Sequence, residues 1–190
     1  MKKIIIAMLI ALIIPCCLFA DRGLFDLTVG VAASSDYSVE NPPKEFAIDK
    51  FSFGADVEMK LAFVALDGKV MYAPTDKEIS GIASANLAID IFFVRVKAGL
   101  GYEYQYNFDT KAFSFGNPNG KSTSFGDFKN ACFDLTAGVD FLISNLTVGV
   151  NAVLPTNVSI GQGNWGDLFP NLKDNWKKAK LGLTVGFALL

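Results

Sequence analysis

Apolar and polar residues alternate along most of this chain from residue 25 onward, with the two-residue period of a pleated strand whose faces meet different surroundings. Phe25, Leu27, Val29, Val31 and Ala33 share one side of a first candidate strand, opposite Asp26, Thr28, Gly30 and Ala32. In the second, Phe51, Phe53, Ala55, Val57 and Met59 oppose Ser52, Gly54, Asp56, Glu58 and Lys60. The phase then changes: Val64, Leu66, Val70 and Tyr72 are apolar against Asp67, Lys69 and Met71. A continuous strand cannot exchange its faces without a bulge, so a turn is placed at 60–63. Asp67-Gly68 has hairpin-turn composition, but a turn there would leave too short a third strand.

Strand four, near 79–91, carries Ala83, Ala85, Leu87 and Ile89 against Ser84, Asn86, Ala88 and Asp90. Strand five sets Val94, Val96, Ala98, Leu100, Tyr102, Tyr104 and Tyr106 against Arg95, Lys97, Gly99, Gly101, Glu103 and Gln105. Strand six opposes Ala131, Phe133, Leu135, Ala137, Val139 and Phe141 to Cys132, Asp134, Thr136 and Asp140. Strand seven has Leu146, Val148, Val150, Ala152 and Leu154; strand eight has Leu181, Leu183, Val185, Phe187 and Leu189. Tight connections near 60–63, 91–94 and 142–145 alternate with longer ones near 34–47, 74–78, 108–129 and 155–177. Short turns at one end and long loops at the other are the habit of transmembrane barrels. The expected fold is all-β, an antiparallel up-and-down transmembrane β-barrel of eight strands with its long loops outside the cell.

The apolar sides carry no Asp, Glu, Lys or Arg, although 19% of the chain is charged. A Lys or Arg at the bilayer midplane of such a wall costs about 2–4 kcal/mol, which gives the absence a cause. Membrane interfaces favour aromatic rings, and one strand orientation sorts them into two girdles. Phe51, Phe53, Tyr72, Tyr102, Tyr104, Phe133 and Trp176 fall near the outer rim; Phe25, Phe63, Phe93, Phe141 and Phe187 fall near the inner one.

In this architecture residues 23–190 resemble the small bacterial outer-membrane barrels of the OmpA, OmpX and OmpW type, without a diagnostic motif. The segment 179–190 resembles their C-terminal insertion signal, departing from it by ending in Leu190, with Phe187 three residues earlier. The resemblance implies the outer membrane of a double-membraned bacterium. Its implied partners are outer-membrane lipid, the barrel-insertion machinery and periplasmic chaperones. The OmpW likeness implies a narrow porin-like channel for small or hydrophobic solutes.

Residues 1–20 read as a signal peptide: Lys2 and Lys3, an apolar stretch at 4–14, then Leu18-Phe19-Ala20 before a cut at Asp21. Residues 21–190 are then the barrel domain. An uncleaved anchor is the alternative, and lipidation at Cys16 or Cys17 is another, although Pro15 stands where a small residue is expected. Cleavage leaves Cys132 as the one cysteine, which excludes a disulfide framework. It also moves the charge from −2 to about −4, which is not a nucleic-acid-binding balance.

Chemistry is sparse. The chain has no His, so neither a conventional zinc site nor the His-dependent lipid chemistry of barrel enzymes is expected; the reading is a non-enzyme without cofactor or metal. Gly161-Gln-Gly163-Asn-Trp165-Gly166 matches the dinucleotide pattern in letters but lacks its strand-turn-helix context, and the sequons at Asn145 and Asn157 are accidental in this setting.

The polar sides are more informative. Asp26, Asp56, Glu58, Asp67, Asp90, Glu103, Asp134 and Asp140 face inward in this register, with Lys69, Arg95, Lys97, Lys178 and Lys180. Charges so enclosed must pair, bind water or neutralise. Eight-stranded barrels have interiors just wide enough for their own side chains, so the set reads as a polar plug or as a narrow cation-preferring path. Phe113, Phe115, Phe125, Trp165 and Phe169 are apolar residues in otherwise polar loops, as at a contact surface. Three functions follow: a monomeric structural or adhesin-like surface protein binding a host or matrix ligand through its loops, a narrow channel, or a soluble periplasmic ligand-binding barrel with its faces reversed.

Overall fold

The computed structural model describes residues 24–38, 50–116, 131–159, 161 and 163–189, with the backbone alone at 36–38. The leader at 1–20, Cys16, Cys17 and Phe125 lie outside the described residues. Nine strands are described: β1 (Phe25–Ser38), β2 (Phe51–Leu61), β3 (Val64–Ala73), β4 (Glu78–Ile91), β5 (Val94–Asn107), β6 (Ala112–Phe115), β7 (Cys132–Ile143), β8 (Leu146–Ser159) and β9 (Lys180–Ala188). All but β6 pair antiparallel in succession, and β9 returns to β1 through Val29↔Phe187 and Val31↔Val185, so eight strands close a barrel. Closure removes every free edge among those eight.

The three tight connections sit between the pairs Leu61↔Val64, Ile91↔Val94 and Ile143↔Leu146, leaving two loop residues each. Two-residue hairpins that follow the right-handed twist need a positive φ at the first loop position. Ala62, Phe92 and Ser144 supply it at 52°, 56° and 53° without being glycine. Asp67-Gly68 is not a turn: it lies within β3, opposite Val57 and Glu58.

Burial inverts the soluble pattern. Arg95 is 0% and Asp26 1% exposed, whereas Leu87 is 67% and Val31 64% exposed. The alternation explains this directly, because odd and even positions of each strand take opposite sides of the wall. The reversed-face soluble barrel of the third reading is therefore overturned: the uncharged sides point out and the ionic sides point in.

Three local departures from the sequence reading occur at the long-loop end. The stretch near 108–129 holds β6, a short strand paired to the end of β5 from Tyr104↔Phe115 to Asn107↔Ala112. Strand β8 runs beyond Leu154 to Ser159, past an irregularity between Phe133 and Asp134 of β7. Two extra β8 residues, Thr156 and Asn157, are accommodated there, Asn157 with φ 58°. Pro155 beside that irregularity lacks an N–H for the ladder, which suits the position. The loop that follows contains a helix, α1 (Leu168–Asn175), between single 3₁₀ turns at Trp165–Asp167 and Trp176–Lys178.

The wall is closely fitted where a glycine faces an aromatic ring. A Cβ on Gly81 would lie 2.3 Å from the ring and hydroxyl of Tyr104 on the neighbouring strand. Only hydrogen fits, and the Tyr104 hydroxyl passes over Gly81 to donate to the Lys69 carbonyl at 3.4 Å.

Candidate functional site

Three regions gather the singled-out residues: the lumen, the rims and the loop surface. The lumen is built first, because strand parity alone sends its charges inward. At the short-turn end Arg95 of β5 stands opposite Asp90 of β4 and Asp140 of β7 in the ladder. Its guanidinium reaches across the barrel as well. Nε donates to Asp90 Oδ1 at 2.8 Å, Nη1 to Glu58 Oε1 at 2.5 Å and Nη2 to Asp26 Oδ2 at 2.7 Å. A planar fork with five donors suits three convergent carboxylates in a way a single ammonium would not.

The next layer is held by Lys97. It donates to Glu58, lies 2.8 Å from Asp140 and 3.7 Å from Asp67. Lys69 follows, 3.4 Å from Asp67 and 3.8 Å from Asp56. Lys60, which the sequence reading left out of the lumen, pairs with Asp90 at 2.6 Å. Its parity with Glu58 two residues earlier was the available signal. Conversely Lys178 is exposed in the 3₁₀ turn after α1, outside the lumen. A network from β1, β2, β3, β4, β5 and β7 thus crosses the barrel. Such an arrangement is weak evidence of stability, but removing one partner strands buried charge.

Toward the long-loop end the lumen opens. A chamber of about 20 Å³ is lined by Asp67, Ser84, Asn86, Lys97 and Thr136, space for one or two waters. Thr136 donates to Asn86 at 2.6 Å and Asn86 to Ser84 at 2.9 Å, a polar chain that parity predicts but that no motif marks. Above it a cavity of about 80 Å³ is lined by Ser52, Lys69, Ser80, Glu103, Asn151 and Lys180 among others. Lys180 pairs with Glu103 across this mouth at 2.6 Å, and Asp134 is buried at 5%.

The aromatic residues distribute as follows. Phe25, Phe141 and Phe187 point outward near the short turns, at 42%, 41% and 54% exposure, with Phe63 and Phe93 in the turns themselves. Phe51, Phe53, Tyr72, Tyr102 and Tyr104 lie toward the long-loop end, Phe51 stacking on Phe53 at 6.4 Å. Phe133 differs from the lipid-facing position expected of it. It is 2% exposed, because Trp165 stacks on it at 5.1 Å from the loop after β8. Trp176 is 50% exposed, in the turn after α1 and not on a strand.

Two loop contact candidates are also corrected. Phe115 is 8% exposed and stacks on Tyr102 at 5.4 Å, and Phe113 is half-buried opposite Tyr106 on β6. Pairing with β5 turned an expected loop surface into sheet. Trp165 and Phe169 remain exposed, Phe169 at 79%. The hairpin tips at 74–77 and 108–111 are tied together by Lys77–Asp109 at 3.2 Å and by Asn107 donating to the Asp76 carbonyl at 3.2 Å.

Among the described residues no group of three or more Cys, Asp or Glu is set to hold a metal ion. Each lumenal base is placed against at least one carboxylate, and the inward carboxylates outnumber the bases.

No protein-family model matches the chain, and no curated protein matches it. Among solved structures the chain is similar to Neisserial surface protein A, at 14% identity and a TM-score of 0.42, over 87% of this chain and 96% of that one.

Proposed function

We propose that this chain is an integral outer-membrane barrel of a double-membraned bacterium, closed to conduction through its lumen and acting at the cell surface through its long-loop end. The observation that carries the reading is the inversion of burial. A fully buried guanidinium with three carboxylates crosses the interior at the short-turn end, while uncharged Val, Leu, Ile and Phe side chains cover the outside. Water solvates the uncharged outer surface poorly, and hydrocarbon solvates it well. Its surface role is structural or adhesive, towards a host or matrix ligand, and it works as a monomer without catalysis or cofactor.

Surface proteolysis of intact cells tests the placement. Cleavage confined to the long-loop end, with the barrel protected, is the expected result; protection of every loop until the cells are broken contradicts it.

A narrow channel is the second reading, favoured by two neighbouring spaces in the lumen, both lined by Lys69 and Asn151. Planar-bilayer recording separates the two. Refolded protein without conductance steps supports the closed barrel, and steady cation-preferring steps that fall when Asp56 and Asp140 are neutralised support the channel.

A further inference from the structure

The segment between β8 and β9 presents its apolar residues in an order that sheet packing does not require. Leu168, Leu172 and Asn175 lie one helical turn apart on the side of α1 that faces the barrel, where Asn175 is buried and donates to the Pro155 carbonyl at 3.2 Å. With 3.6 residues per turn, Phe169, Lys173 and Trp176 share another side, and all three are exposed. Lys177 follows next around the helix, with Asp174 beyond it. Lys178 is exposed in the same turn.

The segment is also fixed in place. Trp165 stacks on Phe133, whose parity puts it on the outside of the wall with Leu135 and Val139. Asn164 accepts from the Ser159 N–H at 3.1 Å and donates to the Asn157 carbonyl at 3.2 Å. The segment therefore meets the outer flank of β7 and β8, continuous with the uncharged wall. Aromatic rings beside lysines, carried on a short helix at the edge of that wall, match the chemistry of a lipid interface: rings among the upper acyl chains and glycerol, ammonium groups at phosphate.

We propose that α1 and its flanking turns form an interfacial anchor, seating Trp165, Phe169 and Trp176 in the outer leaflet and binding the phosphate of an anionic lipid headgroup through Lys173, Lys177 and Lys178. The inference rests on the membrane placement proposed above. It assigns the exposed aromatics of this loop to lipid in place of a protein ligand.

Both tryptophans of the chain lie in this segment, so their fluorescence reports on it without a foreign label. The chain without residues 1–20, carrying Trp165→Phe to isolate Trp176, is refolded into phosphatidylcholine vesicles. Quenching by lipid brominated near the carbonyl end of its acyl chains, with little quenching by aqueous iodide, is the expected result. Strong iodide quenching with none from the brominated lipid overturns the proposal, and points to a loop in water free for a protein partner.

The charge component is read with vesicles holding lipid A or its dephosphorylated form. The chain with native lysines is expected to enrich the phosphorylated form. The Lys173→Gln/Lys177→Gln/Lys178→Gln variant should lower that preference by roughly tenfold or more, since each lysine near an anionic surface contributes about a fivefold factor. Equal enrichment of both glycolipids, or an unchanged preference in the variant, overturns it. The three lysines are exposed and outside the barrel, so the variant retains its fold. Aqueous maleimide labelling of a Leu100→Cys/Cys132→Ser variant in the same vesicles separates the two failures. Labelling there means the barrel has not inserted and the placement fails; no labelling with Trp176 in water means the anchor alone fails.

Discussion

Replacing Arg95 by Met should be among the most damaging single changes in this barrel. The side chain is fully buried and donates to Asp26 at 2.7 Å, Glu58 at 2.5 Å and Asp90 at 2.8 Å. Glu58 would retain Lys97 and Asp90 would retain Lys60. Asp26, 1% exposed, would lose its guanidinium and keep Thr28 Oγ1 at 3.3 Å among its contacts. Breaking a buried ionic group by deleting one partner typically costs about 3–5 kcal/mol, so the Arg95→Met variant should lose about that much. Adding Asp26→Asn and Glu58→Gln should recover a large part of the loss, because neutral partners no longer require compensation. The assay is urea unfolding of protein refolded in vesicles, followed by tryptophan emission, with the slope m compared between variants. A loss below about 1 kcal/mol, the range of a solvent-exposed pair, would show the Arg95 layer to be wet and refute the plug.

Other consequences follow from the same geometry. Leu100→Arg or Val150→Lys, well inside β5 and β8, should destabilise by about 2–4 kcal/mol in vesicles, while Phe187→Lys near the short turns should cost about 0–1 kcal/mol; equal losses at both depths would contradict a lipid-facing wall. Gly81→Ala should displace both Tyr104 and the Lys69 carbonyl, at about 1–3 kcal/mol for an overpacked site, visible as a lower urea midpoint; an unchanged midpoint would contradict the close fit. Ala62 holds φ 52°, a conformation costing an L-residue about 1–2 kcal/mol. Against the extra chain entropy of glycine, about 0.5–1 kcal/mol, Ala62→Gly should gain about 0.5–1 kcal/mol, measured as a raised midpoint; destabilisation would refute the strain.

The strands and turns of the barrel were legible because both rest on local rules. Alternation assigns a face at every second residue, and the parity change between Met59 and Val64 locates a hairpin that no Asn-Gly or Asp-Gly marks. The Arg95 cluster was legible only as a list of inward positions. Which carboxylate meets which base depends on stagger between strands up to 69 residues apart, and no local pattern encodes that. Lys60 was within reach of the parity rule, at the end of the strand where the apolar face was already complete.

What stayed illegible lies where non-local pairing overrides composition. Residues 112–115 are four positions inside a stretch rich in Ser, Gly and Asn, too short for periodicity to declare a strand. The end of β5 recruits them, and burial of Phe115 on Tyr102 follows. Phe133 has the parity of a lipid-facing residue, and only the return of a loop 32 residues later, bringing Trp165 over it, removes it from the surface.

The central claim is that the uncharged wall meets hydrocarbon while the ionic set is enclosed. Single cysteines introduced on a Cys132→Ser background in intact cells address it most directly, using a membrane-impermeant maleimide. The account predicts labelling of Asp109→Cys at a hairpin tip and none of Leu100→Cys or Val150→Cys, which a lipid-soluble maleimide should reach. Labelling of Leu100→Cys or Val150→Cys by the impermeant reagent in the folded barrel would contradict it.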